Sequence, residues 1–589
     1  MKLYQEQLSQ LFKNFVKNAD VRNDVLKWIG DCLSENRGKS KKKVRRQNLC
    51  LFFSVGKNKE WSSHNPMTAY LYVSDGFLLN LNLVLLNLAR PFAEPYSSKL
   101  LKIDPIYAIC QNSHVHLKDL SKETPFIARE GEQTDEKNAD LTFHFITEIF
   151  FMAHFCYSSS VQRMHRTLLK INEELSRVQQ AYNAARANHE DATRLETAME
   201  KGLSAFFNIK TVLNEPRLLE LVNALMSSTC SWLGHIADAP EKESIEPIRQ
   251  LPLKNKAPKE LSFIPELIIE NISDFLTFLG RFNVQLFESL PHVNEYVTLV
   301  LVFMGDASRL RNPHLRAQLA EAFEAIIPNK QHASGRTLNS SFAEMIFTTH
   351  PLIEHLPRVL LDVFVSIELT GQAVAFEQKF NYRRPMYEIL EYLWKFDKHR
   401  QQVKILAEFA EEHIDDAEAP LFLRFINLLM NDANYLLDEA LSHMARLRNN
   451  QEAMDRGEWA ALPDQQRQEL ENTFRHTGQI ARYTNIMGLK TLIILDMITH
   501  DIQSIFCNRA ICERLASMLN YFLQHLVGPK RRNLKVRDLN EYQFEPPKLV
   551  AKVTDIYLNF AQREEFSIAV CNDGMYGEIN FFCKRKKCF

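Results

Sequence analysis

Residues 74–89 read SDGFLLNLNLVLLNLA. From Phe77 to Leu88 only Asn80, Asn82 and Asn87 interrupt the leucine, valine and phenylalanine side chains. A helix that is apolar on most sides has to be enclosed by neighbours on nearly every face. Ser74 is a good N-cap residue, and Asp75 falls in the first turn, where the helix dipole favours an acid. The stretch therefore predicts a buried helix with other helices packed around it.

Outward from that segment the same periodicity recurs. Asn312-Pro313 has the form of a cap followed by a first-turn proline; Leu315, Leu319, Phe323 and Ile326 then make one stripe, and Pro328 is expected to end the helix. The longest regular run begins at Val161 and continues through Met164, Leu168, Ile171, Leu175, Val178, Tyr182 and Ala185, breaking at His189. Its alternating steps of three and four describe a coiled-coil seam. An intramolecular antiparallel hairpin with the following helix is the favoured reading, and dimerisation is the alternative.

Glycine supports the helical assignment. There are 17 in 589 residues, well below the usual share of about 7%. Tight turns with positive φ need glycine, so few hairpins are expected. At this length one hydrophobic core does not suffice, because cores stop growing near roughly 250–300 residues. The expected fold is all-α, an elongated armadillo/HEAT-like superhelix with degenerate repeats, since no fixed period is visible. Polar breaks fall at 113–140, with Glu130 to Glu136 acidic, at 446–467 and at 528–548. The clearest break holds Pro240, Pro247, Pro252, Pro258 and Pro265. It divides the chain into an N-terminal part of the core (1–240), a proline-rich hinge or loop (241–265) and a C-terminal part (266–565).

Composition excludes several functions. The formal net charge of −1 offers no global field for nucleic acid or an anionic membrane. The runs Val297 to Met304 and Gly488 to Ile498 are too short to span a bilayer, which needs about 20 apolar residues, and the second contains Lys490 and Asp496. The first residues, MKLYQEQLSQLF, place Tyr4, Leu8, Leu11 and Phe15 on one helical face and lack the unbroken apolar stretch of a signal peptide. Ten scattered cysteines suit a reducing compartment, so a soluble protein of the cytoplasm, or also the nucleus, is expected.

No motif survives as an active site. Gly38-Lys39-Ser40 lacks the earlier glycine of a phosphate-binding loop, Leu33 standing in its place. The basic run Arg37 to Arg46 reads as a solvated loop, with nuclear localisation as the alternative. His114/His116, His144/His154/Cys156 and His350/His355 do not form the two close pairs of a structural zinc site, and Cys583 and Cys588 have no companion pair. No catalytic, cofactor-binding or metal-binding residue is expected, and the residues alone point to a helical scaffold that works by binding.

Four long segments then carry a resemblance. They are SDGFLLNLNLVLLNLARPF (Ser74 to Phe92), IELTGQAVAFEQKFNYR with Glu368, Thr370, Gly371, Phe376, Lys379, Phe380 and Arg383, FINLLMNDANYLLDEAL (Phe425 to Leu441), and MLNYFLQHLVGPKRRNLKV (Met518 to Val536) followed by Tyr542, Phe544 and Pro546. Together they resemble the core of the ubiquitin conjugation factor E4 family over roughly residues 1–573, nearest the animal A-type paralogue. The resemblance implies a curved helical rod ending in a U-box, which docks a ubiquitin-charged conjugating enzyme and promotes transfer without a covalent intermediate on the ligase. It also implies a hexameric AAA segregase, ubiquitin-shuttle proteins, the proteasome and ubiquitinated substrates as partners, in degradation that includes endoplasmic-reticulum-derived proteins. FSIAVCNDG (Phe566 to Gly574) is similar to the approach to that U-box, but the fifteen residues after Gly574 are too few to form one. Residues 566–589 thus read as a truncated, divergent tail, and docking of a conjugating enzyme is not expected. The expected function is the core scaffold of a ubiquitin-chain elongation factor, not ligase-competent alone. The alternative is a non-catalytic interaction solenoid that competes with the full-length factor.

Overall fold

The computed structural model describes residues 2–37, 73–129, 141–187, 191–328, 340–369 and 376–573. Helices build all of its regular structure; no strand forms among the described residues, where a single isolated bridge joins Pro125 to Pro265. The protein is all-α. It divides into two compact units, Met1–Ile353 and Glu354–Phe589.

The first unit contains α1 (Lys2–Lys17), α2 (Ala19–Glu35), α3 (Asp75–Ala89), α4 (Phe145–Tyr157), α5 (Arg163–Ala187) and α6 (Thr193–Leu213). It continues with α7 (Pro216–Asp238), α8 (Leu267–Phe282), α9 (Val284–Glu288), α10 (Val293–Gly305), α11 (Pro313–Glu324) and α12 (Ser340–Thr349). The Ser74 hydroxyl accepts from the Phe77 amide at 3.1 Å and starts α3. That helix buries Leu78, Leu81, Val84, Leu85 and Leu88 against α1, α4 and α7, and even Asn82 is shut away from solvent. Asn312 caps α11 through the His314 amide at 3.0 Å, and Leu315, Leu319, Phe323 and Ile326 are all buried. α11 ends at Glu324, short of Pro328. A proline disfavours helical backbone in the residue before it, so the last residues close as single turns, Ile326 N to Phe323 O and Ile327 N to Glu324 O.

The seam starting at Val161 crosses a π turn at Ser158–Gln162 and then runs along α5, which pairs with α6 as the antiparallel hairpin. Val161, Met164, Leu168 and Ile171 are buried, whereas Leu175, Val178 and Tyr182 are half-buried toward the hairpin tip. Residues 241–265 form a loop inside this first unit and bury Ile245, Leu261, Phe263 and Ile264. This loop meets the earlier polar break: the Phe126 amide donates to Ile264 O at 3.0 Å and the Glu266 amide to Thr124 O at 2.8 Å. Two irregular, charge-rich stretches thus satisfy each other's backbone, as a buried backbone must be satisfied somewhere.

The second unit contains α13 (Leu356–Ser366), α14 (Phe376–Leu393), α15 (Asp397–Glu412) and α16 (Leu421–Asp455). After these come α17 (Asp464–Asp501), α18 (Arg509–Val527), α19 (Pro546–Asn559) and α20 (Glu564–Asn572). Its centre is the hairpin of α16 and α17, 35 and 38 residues long. A Cβ on Gly488 would press on Leu437 and one on Gly478 on Tyr542 and Leu447, which fixes the pair as antiparallel. The polar stretch 446–467 is therefore mostly helical. Its polarity marks the solvated far end of the hairpin, and only residues 456–463 turn the chain.

Candidate functional site

A cluster of charged side chains lies in the second unit, where two of the four resemblance segments meet. Arg383 lies on α14 and is fully buried; its Nη1 donates to both carboxylate oxygens of Asp432 on α16, at 2.7 and 2.6 Å. Nη2 donates to Glu368 Oε2 at 3.0 Å and to Phe364 O at 3.3 Å, and the guanidinium lies 4.2 Å from the centre of the Phe364 ring. Tyr387, one turn further along α14, donates its hydroxyl to Asp432 Oδ2 at 3.0 Å. Lys379 reaches Glu368 at 3.4 Å and Asp432 at 3.6 Å. Beside it the buried Phe380 stacks on Tyr435 with ring centres 5.7 Å apart. One guanidinium nitrogen thus spans both oxygens of Asp432 while the other holds Glu368 and the Phe364 carbonyl, all as charge-assisted or carbonyl hydrogen bonds.

Burial pushes the Asp432 carboxyl above its ordinary range, against the opposing pull of Arg383, Lys379 and the Tyr387 hydroxyl. The Tyr387 phenol is pushed up by burial and by the neighbouring carboxylate. Both groups are occupied with one another and shut away from solvent. The chemistry of the cluster is positional: it fixes α14 against α16 at one register. A second tie runs from Lys490 on α17 to Glu388 at 3.0 Å, and also to Glu391, both on α14. The fourth segment supplies Asn520, buried on α18, which donates to Val570 O at 3.3 Å and Asp573 Oδ2 at 2.9 Å and so holds α20. Tyr542 and Phe544 are buried, and Asn485 donates to Tyr542 O at 2.9 Å.

Four of the histidines weighed as metal ligands have other duties. His144 caps α4 through the Ile146 amide at 3.1 Å. His154 is buried against Thr229 Oγ1 at 2.9 Å, and burial drives its pKa down to about 3. His116 Nδ1 sits 2.8 Å from Glu148, which also takes the Tyr107 hydroxyl at 2.5 Å. His350 accepts from the Leu352 amide and contacts Thr298, with its pKa lowered to about 4 by burial. Among the described residues no group of three potential ligands converges on a point. Gly38-Lys39-Ser40, the basic run after Arg37, the acidic run at 130–136, His189, Thr370-Gly371, the Phe376 side chain and the tail after Asp573 lie outside the described residues.

The partnership of Arg383 with Asp432 is invisible to local pattern, because 49 positions separate them. The available signal was a lone acid within FINLLMNDANYLL and an arginine behind the aromatic pair Phe380 and Tyr382, each beside residues otherwise meant for burial.

The family model described as the ubiquitin elongating factor core matches residues 1–587. The chain belongs to this family. Ubiquitin conjugation factor E4 A of Bos taurus is 36% identical over 590 residues, covering 98% of this chain and 53% of the relative. The Arabidopsis thaliana protein named probable ubiquitin conjugation factor E4 is 26% identical, covering 95% of this chain and 54% of its own length. The E4 ubiquitin-protein ligase UFD2 of Saccharomyces cerevisiae is 27% identical over 554 residues, covering 87% and 55%. The chain spans about half the length of the curated relatives it matches. In this chain the core is a helical body in which the buried Arg383–Asp432 pair ties helix to helix.

Proposed function

We propose that this chain serves as the scaffold of a ubiquitin-chain elongation factor, holding ubiquitinated substrate and partner proteins while a charged conjugating enzyme performs the transfer. The observation that carries the reading is the family match across residues 1–587. Five of the described thiols fit a role without a covalent ubiquitin intermediate. Burial raises the pKa of Cys32, Cys156, Cys230 and Cys507, and takes Cys512 to about 11, so each is held as the poorly nucleophilic thiol. The scaffold's contribution to rate is then effective molarity. The resemblance adds an AAA segregase and ubiquitin-shuttle proteins as partners, with cytoplasm and nucleus as the setting. No helix of the described residues is long and apolar enough to cross a membrane.

The test is a reconstituted reaction with activating enzyme, a panel of conjugating enzymes, ubiquitin and a ubiquitin-fused substrate. The purified chain should bind the ubiquitin-fused substrate, leave its conjugate no longer than the no-ligase control, and suppress elongation by an added full-length family member. Lengthening by the chain alone would make it a ligase in its own right. Failure both to bind and to suppress would remove the scaffold role.

A further inference from the structure

Helix α15 buries His399, Val403, Ala407 and Ala410 on one side. Its other side carries Ile405 at 47% exposure and Phe409 at 53%, with Glu408 and Glu412 exposed on the same stripe. Positions 405, 408, 409 and 412 share a helical face. Just past the helix end Asp415 and Asp416 are also exposed. Among the described residues none of these four carboxylates makes an ion pair; the ion pairs of this helix, Lys398 with Glu354 and Arg400 with Asp397, lie at its opposite end.

Single exposed apolar residues are ordinary. Phe409 stacks on His413 with ring centres 4.1 Å apart and is still more than half exposed. Two large apolar side chains a turn apart, rimmed by acids without ion pairs, form a combination that neither burial nor local charge pairing accounts for. We propose that the outer face of α15 is a docking surface for a basic amphipathic helix of a partner protein, its apolar side on Ile405 and Phe409 and its lysines or arginines among Glu408, Glu412, Asp415 and Asp416.

Charge selects this occupant. A second copy meeting the same face across a two-fold axis would set carboxylate against carboxylate. Nucleic acid and anionic lipid are repelled by the same groups. A cationic helix relieves the repulsion among the acids and covers the two apolar side chains with residues at matching i,i+4 spacing. The contact area is small, so the affinity belongs to the weak, transient class. The inference is independent of the ubiquitin role.

The test uses fluorescence anisotropy with a labelled synthetic peptide of leucine and lysine at helical spacing, titrated with the full chain, and a scrambled peptide of equal composition as control. The helical peptide should bind saturably and more tightly than the scrambled one. Combining Ile405→Ser with Phe409→Ser should weaken it by about tenfold or more, as should Glu412→Lys with Asp416→Lys. All four positions are exposed, so far-UV circular dichroism should be unchanged. Equal binding by the variants, or by the scrambled peptide, overturns the proposal. So does sedimentation showing a dimer that Phe409→Ser disperses, because a second copy would then be the occupant.

Discussion

Asp432 is an acid placed where the surrounding sequence asks for a hydrocarbon, and its value to the fold depends on Arg383 being there. Removing one member of a buried pair leaves an uncompensated charge, which costs about 3–5 kcal/mol, whereas replacing both with apolar side chains is often neutral or stabilising by about 1–4 kcal/mol. Arg383→Met alone should therefore lower the urea midpoint of the second unit sharply. Adding Asp432→Leu should return most or all of the loss. Tyr387 and Lys379 remain in the double variant, and both have Asp432 as a partner in the parent. Incomplete recovery would measure what they lose. If the double variant is as unstable as the sum of the two single ones, the pair is not coupled and the close contact contributes no specific energy. The residue scale is also where reading from sequence ran out. Arg383 was legible as a residue of a family segment, but the partner of a buried charge is a property of the assembled fold.

Among the elements, legibility followed the apolar pattern. α3 and α11 were readable to within a turn because both their caps and their stripes are local: Ser74 and Asn312 bond their own first turns. The α16/α17 hairpin was under-read because its far end is solvated and has no stripe to show. The meeting of the 113–140 and 240–265 stretches was unreadable, since two irregular segments bond to each other's backbone without periodicity. Glycine shows the same division between local and assembled causes. A Cβ on Gly280 of α8 would lie 2.3 Å from Ala325 O, so Gly280→Ala forces two backbones apart. Gly457, in the turn between α16 and α17, has φ 76° and open space around it, so its alanine variant meets only the backbone penalty. Left-handed backbone costs a residue with a Cβ about 1–2 kcal/mol, while overpacking against an immovable carbonyl costs about 1–3 kcal/mol and sometimes more. Gly280→Ala should be the more damaging change in chemical denaturation, and its effect should appear as faster amide exchange in α8 and at the end of α11. Equal losses, or exchange unchanged there, would show that α8 can back away from Ala325 without cost.

At the scale of the whole molecule the buried ionisable groups set how stability responds to pH, and they do not all pull the same way. His154 has its pKa lowered from 6.5 to about 3 and His350 to about 4; His144 and His235 are lowered as well. His154 and His350 stay neutral in the folded protein while their unfolded counterparts take a proton below pH 6.5. Their stability is therefore fully present above that value and drains as pH falls toward the folded pKa. The slope is about 1.4 kcal/mol per pH unit for a histidine inside its window. Glu266 has the opposite sign: burial raises it from 4.5 to about 7, so its contribution is complete below pH 4.5 and is lost as pH rises through 7. Asp432, also raised, acts in the same sense as Glu266. Between pH 7 and pH 5 the histidines outnumber the raised acids, and the net expectation is loss of stability on acidification. His154 can be isolated from the rest. The His154 ring faces Thr229 Oγ1 on one side and Asn271 Nδ2 on the other, at 2.9 and 3.3 Å, and His154→Gln keeps a side chain that can bond them but removes the titration. Guanidinium midpoints at pH 7.5 and pH 5 should be closer together in the variant than in the parent, whatever the variant loses at pH 7.5. Parallel slopes would mean that His154 titrates in the folded state as it does in the unfolded chain, and that the helix bundle around it opens to water at mildly acid pH.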